Sequence, residues 1–375
     1  MKNIFASLAV SLISASCFNP DSSRPGDAAM VEAWENGGRA ETLSWFRRNV
    51  YGITPVDKPD DMVIGEREVS MAGGRIKIGI SLSLPENASA ENPVPVFVFG
   101  DHSNDQSALP FRKKVYADIP TNAITARGYA YVTFNFNDIC PNTARGPFLD
   151  EWKKGVYQIY GGADRTADSW GTIAAWAWGF SRVVDWIETR PELDRRRIAV
   201  VGHSRGGKTA LWAAAQDERI ALAVSNNSGC GGAKLNRMKI EKSEHISQIL
   251  RSFPFWFCLN FARYADADDT VEHDQDDLIR LIAPRLVYVA SATKDPWAGP
   301  EGEFAAAKKA SDLFRAYGKG GISLDRIPEP GRCDHGGAVG YHLREGIHKL
   351  TPFDWNMFMD FADRHMRRSA SAQGR

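Results

Sequence analysis

The octapeptide Gly202-His203-Ser204-Arg205-Gly206-Gly207-Lys208-Thr209 satisfies two unrelated catalytic patterns. From Gly202 to Gly206 it reads G-x-S-x-G, a strained strand-to-helix turn that lifts a nucleophilic serine hydroxyl into solvent. Extended to Thr209 it reads G-x-x-x-x-G-K-T, a loop whose backbone N–H groups cradle phosphates. Both need a buried strand before and a helix after, and residues 197–201 (RIAVV) and 209–215 (TALWAAA) supply them for either. The remaining chemistry-bearing residues must arbitrate.

A serine nucleophile needs a later acid and then a histidine, each beyond the end of a subsequent strand. Asp295 lies just past the apolar run 286–290, and His335 lies in a glycine-rich loop past the run 322–327. Order and placement fit a Ser204, Asp295, His335 triad, with His342 and His348 as the alternative bases. A phosphate loop fits less well, because it ordinarily opens its domain on the first strand. Here several strand candidates precede it, and no apolar run ends in an aspartate suited to Mg²⁺. Arg205 follows the nucleophile, so its backbone N–H can serve an oxyanion hole and its guanidinium can meet developing oxygen charge. Lys208 is one helical turn further, on the same face as Ser204.

The elements that must position these groups are legible in outline. Residues 63–69 and 75–82 flank Ala72-Gly73-Gly74, the pattern of an antiparallel hairpin at a sheet edge. Runs 94–99 and 129–134 read as strands buried on both faces, and 221–224, 286–290 and 322–327 are three further strand candidates. Helical stretches alternate with them: 169–189, with Ile173, Trp176, Ala177, Phe180, Val184 and Ile187 on one stripe, then 303–317 and 353–366. The expectation is an α/β fold of the α/β-hydrolase type, a mostly parallel central sheet covered by helices on both faces in three layers. Such sheets carry their sites at the carboxyl ends of the strands.

Composition narrows the class. The 375 residues are 43% hydrophobic, enough for one large core, and 46 basic residues balance 46 acidic ones. No global field favours nucleic acid. Met1-Lys2-Asn3, an apolar run 4–15 and then small residues before Cys17 form a secretory signal, too short to span a membrane. The expected organisation is a signal peptide over 1–17 with Cys17 as a candidate lipid anchor, a linker over 18–30, a catalytic domain over 31–368 and a frayed tail over 369–375. The expected protein is exported (periplasmic, outer-membrane-anchored or secreted) and monomeric. Cys140, Cys230, Cys258 and Cys333 show no zinc spacing, and any disulfide pairing is unreadable.

The chain resembles the glucuronoyl esterases, the 4-O-methyl-glucuronoyl methylesterases of carbohydrate esterase family 15, in a bacterial form. The resemblance rests on Gly202 to Lys208, Ser228-Gly229-Cys230-Gly231-Gly232, Phe253-Pro254-Phe255-Trp256-Phe257 with Asn260-Phe261, and Leu281-Ile282-Ala283-Pro284-Arg285. It continues through Asp295-Pro296-Trp297-Ala298-Gly299-Pro300-Glu301-Gly302-Glu303, Gly340-Tyr341-His342 and Leu350-Thr351-Pro352-Phe353-Asp354-Trp355, and covers residues 43–365.

The resemblance implies hydrolysis of esters at the glucuronic acid carboxyl of xylan side groups, the linkage thought to join hemicellulose to lignin, with no cofactor and no metal. It assigns Lys208 to substrate hydroxyls and Glu244, with Glu241 nearby, to accepting from a sugar hydroxyl. Trp297 is placed to pack on the sugar ring. Two departures matter. Many members carry cysteine where His203 stands, so a disulfide at that position is absent. Those members also take the acid from a glutamate where Asn227 stands, so the role passes to Asp295. The segment Asp101-His102-Ser103 occupies the region that supplies a second oxyanion donor, with no individual role assigned. The rival readings are an acetylxylan or other carbohydrate esterase with the same triad, a noncatalytic hydrolase-like protein and a P-loop nucleotide-binding protein.

Overall fold

The computed structural model describes residues 26–101, 119–141, 149–161 and 164–366. The expected signal peptide, Cys17, His102, Ser103 and the tail beyond Met366 lie outside the described residues. Among those described, ten strands form one sheet: β1 (Val63–Ile64), β2 (Glu68–Met71), β3 (Ile76–Ser83), β4 (Val94–Asp101), β5 (Ala130–Asn135), β6 (Leu193–His203), β7 (Leu222–Asn226), β8 (Leu286–Lys294), β9 (Cys333–Asp334) and β10 (Val339–Ile347). Their spatial order is β1-β2-β3-β5-β4-β6-β7-β8-β10-β9. The inner six, β5, β4, β6, β7, β8 and β10, are parallel, and antiparallel pairs close both edges.

The expected hairpin is β2 and β3, turning through Ala72, Gly73 and Gly74, all at positive φ. β4 over residues 96–99 and β7 over residues 222–224 are hydrophobic without interruption because both their faces are covered. Val96, Val98 and Val200 enter one core, and Phe97, Phe99 and Val201 enter the other. The period of two thus divides each central strand between two layers.

On the first face lie the helices Thr172–Ile187 and Arg205–Gln216, and on the second lies Pro352–Met366. Of Thr172–Ile187 every residue except Ser181 is buried, rather than one stripe. It is a middle layer, covered on its outer side by segments that precede it in the chain. The indoles on its outer side remain compatible with burial because each N–H reaches a carbonyl: Trp176 to Cys140 at 3.1 Å, Trp178 to Asp57 at 2.9 Å, Trp186 to Gly65 at 3.1 Å. Its one buried ion pair, Arg182 to Asp185, spans 2.8 Å.

Two expectations about elements need correction. The helix Asp27–Ala33 starts inside the expected linker and packs on Pro300–Ala316, where Tyr317 donates to Glu35 at 3.1 Å. Residues 322–327 form no strand. The Ile322 N–H donates to Ser311 Oγ at 2.9 Å and the Ser323 N–H to Asp334 Oδ2 at 2.6 Å, so side chains take the donors a ladder would use. The last parallel strand is β10 instead.

β10 escapes an apolar-run search because only half of it is apolar. Val339, Tyr341 and Leu343 enter the first core, while His342 and Arg344 are buried by pairing with Asp354 at 2.9 Å each. Gly340 is required, since a Cβ there would stand 2.5 Å from the Tyr288 ring and 2.7 Å from Phe361. Cys140, Cys230, Cys258 and Cys333 are all unbridged.

Candidate active site

Ser204 sits at the carboxyl end of β6 with φ 58° and ψ −123°, a conformation a serine adopts only under constraint, at a cost of roughly 1–3 kcal/mol. The constraint is the close approach of strand and helix. A Cβ on Gly202 would lie 1.9 Å from the Gly206 carbonyl oxygen, and one on Gly207 would lie 2.9 Å from Ser228 Cβ. Gly202 therefore lets Arg205–Gln216 turn directly off the strand, and Gly207 lets that helix approach the loop after β7. Ser204 N–H donates to Asn226 O at 2.8 Å, tying the turn to β7.

Asp295 follows β8, and its buried Oδ2 accepts from His348 Nδ1 at 2.6 Å and from Asn227 Nδ2 at 2.9 Å. Burial alone would raise its pKa, but His348 and Asn227 outweigh that and hold the carboxyl below its usual range. His348 immediately follows β10, which β7 and β8 separate from the elbow strand, and its ring lies against that of His203 at 4.5 Å. With Nδ1–H donated to Asp295, its Nε2 is left for a serine proton. Its side chain is 31% exposed, so substrate can reach it.

The structure does not bring His335, the expected base, to this edge. Its Nε2 lies 2.7 Å from the Tyr288 hydroxyl near the middle of β8, its ring meets Phe361 at 5.7 Å, and its carbonyl accepts from His365 at 2.9 Å. It belongs to the layer under Pro352–Met366, where burial lowers its pKa to about 4. His335 was selected because it follows residues 322–327; with β10 as the true last strand, the same rule selects His348. His342, the other alternative, is fully buried on Asp354.

Lys208 is also buried, and its ammonium donates to the carbonyls of Ser228 and Cys230. Its Nζ lies 3.9 Å from Glu244. Burial lowers the Lys208 pKa and raises that of Glu244, each against the attraction of the other, so desolvation wins for both. Trp297 donates its indole N–H to Glu244 while remaining 48% exposed. Glu244 N–H donates to Trp297 O at 2.9 Å. Of the two glutamates weighed, Glu244 faces this cluster, whereas Glu241 is exposed and 3.8 Å from Lys242.

The Arg205 guanidinium lies over Trp256 at 5.0 Å and Phe253 at 5.8 Å, rings stacked 3.9 Å apart. The phosphate-loop reading fails here. Lys208 is committed to carbonyls, and Thr209 Oγ1 donates to Arg205 O at 2.9 Å within the helix.

Sequence reasoning missed Glu303 and Asn227 as supports. Glu303 is fully buried and accepts from Ser228 N–H at 2.7 Å, Gly229 N–H at 3.0 Å and Ser291 Oγ at 2.7 Å. Burial pushes its carboxyl up to about 7. It fixes the loop whose carbonyls receive Lys208.

A family model described as glucuronyl esterase, fungi, matches residues 68–318. A carbohydrate esterase, MZ0003, from an unknown prokaryotic organism is 44% identical, the match covering 90% of this chain and 86% of that protein. A 4-O-methyl-glucuronoyl methylesterase of Phanerochaete chrysosporium is 33% identical over 51% of this chain and 40% of its own length. The glucuronoyl esterase structure from Solibacter usitatus superposes with a TM-score of 0.77 at 30% identity, covering 88% of this chain and 93% of that one. A promiscuous CE15 esterase from a marine bacterial metagenome gives 0.75 at 33% identity, covering 89% and 93%. The parallel sheet, the strained serine turn and these likenesses agree: the chain belongs to the glucuronoyl esterases of carbohydrate esterase family 15, carboxylic ester hydrolases of the α/β-hydrolase fold.

Proposed function

We propose that this protein hydrolyses esters of the glucuronic acid carboxyl on glucuronoxylan, with Ser204 as nucleophile, His348 as base and Asp295 as the acid that orients it. The observation that carries the reading is the 2.6 Å His348 to Asp295 hydrogen bond, beside the elbow and packed on His203. Ser204 Oγ attacks the ester carbonyl as its proton passes to His348 Nε2, and Arg205 at the head of its helix meets the oxyanion. His348 then protonates the departing alcohol, the ester C–O bond breaks, and a water activated by the same Nε2 cleaves the acyl-enzyme to free acid.

Lys208, Glu244 and Trp297 form a sugar-facing wall, the indole offering its exposed face. Export to a xylan-rich environment belongs to the same reading and is supported by the arrangement of residues 1–17. The rival, an acetylxylan esterase, needs no such sugar-facing wall and no guanidinium beside the nucleophile.

Hydrolysis of benzyl glucuronate beside acetylated xylan tests both. The wild type is expected to release glucuronic acid. Ser204→Ala and His348→Ala should each lose about a thousandfold or more in kcat, and His335→Ala about threefold or less. Acetate release without glucuronate cleavage overturns the substrate, and a severe loss in His335→Ala with an active His348→Ala overturns the base.

A further inference from the structure

Behind the base runs a buried polar chain that the reaction scheme does not use. Asp354, fully buried, accepts from His342 Nε2 at 2.9 Å, Arg344 Nε at 2.9 Å, Thr351 Oγ1 at 2.6 Å and Asn226 Nδ2 at 3.2 Å. Because Asn226 gives its amide N–H to a carboxylate, its Oδ1 is left as acceptor. That oxygen lies 2.6 Å from His203 Nδ1, so Nδ1 carries the proton of His203. His203 and Asn226 are direct cross-strand partners at the ends of β6 and β7, which puts both side chains on one face of the sheet. His203 is 2% exposed, and its ring forms the plate on which His348 packs.

From this geometry we infer that His203 is a positioning residue for the reaction: held by Asn226 and Asp354, it fixes the plane of the His348 imidazole so that Nδ1 stays on Asp295 and Nε2 stays on the Ser204 side. The inference rests on His348 being the base. An imidazole suits the task because its ring, tilted 49° to that of His348, abuts it while its Nδ1–H anchors it to Asn226 on the neighbouring strand. Its environment keeps it uncharged, burial being the main cause and His348 the second, with Asn226, Asp354 and Asp295 opposing; it titrates at about 3. A neutral plate adds no like charge when His348 takes up the serine proton. Misplacement of a reacting group by an ångström costs on the order of a hundredfold, so the plate has a large lever.

The test compares His203→Ala, His203→Phe and Asn226→Ala in the full chain, by steady-state kinetics on benzyl glucuronate and by the low-field imidazole proton resonance of His348 hydrogen-bonded to Asp295. His203→Ala is expected to lower kcat by roughly ten- to a hundredfold with KM within about twofold, and to broaden or abolish that resonance. His203→Phe should recover most of both, since it restores a plate. Asn226→Ala should lower kcat less, and combined with His203→Ala it should add nothing further.

A folded His203→Ala protein with wild-type kcat and an unchanged resonance overturns the inference. If that variant does not fold, a Phe variant as impaired as Asn226→Ala, with the resonance lost, overturns the plate in its place. The resonance requires no substrate, so failure of the proposed substrate is told apart from failure of the plate. An active His348→Ala protein would remove the base and this inference with it.

Discussion

At the scale of single residues, the proposed acid and base are told apart by who holds whom. Asp295 accepts from His348 and from Asn227, so the amide that stands where other members carry an acidic residue supports the aspartate. Replacing Asp295 with Asn is expected to present the wrong histidine tautomer and cost on the order of a thousandfold in kcat. Asn227→Ala leaves the charge and loosens only its orientation, for about tenfold. Single-turnover rates on benzyl glucuronate separate the two, and an Asn227→Ala protein as impaired as Asp295→Asn would overturn this division of labour. Ser204 and Asp295 could be picked out by motif and order because each directly follows an apolar strand. The proposed base moves from His335 to His348 because the strand expected before His335 does not form.

At the scale of elements, the helix Pro300–Ala316 supports the site from behind. Glu303 projects from it onto the Ser228 and Gly229 amides, linking the helix to the loop that receives Lys208. Its folded pKa of about 7 stands above the ordinary glutamate value of 4.5. The folded state therefore binds the proton more tightly than the unfolded one, and the stability from this group is full below pH 4.5 and is lost as pH rises through 7. Glu303→Gln removes the titration, so thermal unfolding followed from pH 4.5 to 8 should show a variant that gains on the wild type as pH rises. A constant difference across that range would show that Glu303 does not titrate there. The same loop glycines, Gly229 and Gly231 at φ 61° and 62°, make the tight turns that aim its carbonyls inward.

At the scale of the whole molecule, Asp354 joins the last strand, the last helix and β7. Thr351 and Asp354 form a reciprocal cap, Thr351 N–H to Asp354 Oδ2 at 2.8 Å and Asp354 N–H to Thr351 Oγ1 at 3.4 Å, with Pro352 at the first helical position. Removing the carboxylate leaves Arg344 and His342 buried without it, so Asp354→Ala is expected to lose about 3–5 kcal/mol in urea unfolding. A loss below about 1 kcal/mol would mean that the network is dispensable to the fold.

The sequence by itself determined the layered sheet and the elbow and pointed to Asp295 as the proposed acid, because these depend on local signals: apolar strand runs, glycines that permit a close approach, and chain order. It could not determine the base, since β10 mixes Gly340, His342 and Arg344 with apolar residues and reads as polar until Asp354 is placed beside it. Nor could it determine that Lys208 is buried, that His203 lies against His348 or that Glu303 holds a loop. Each of those depends on a partner distant in sequence, and burial converts a solvated charge or ring into a positioned one only when tertiary structure supplies that partner.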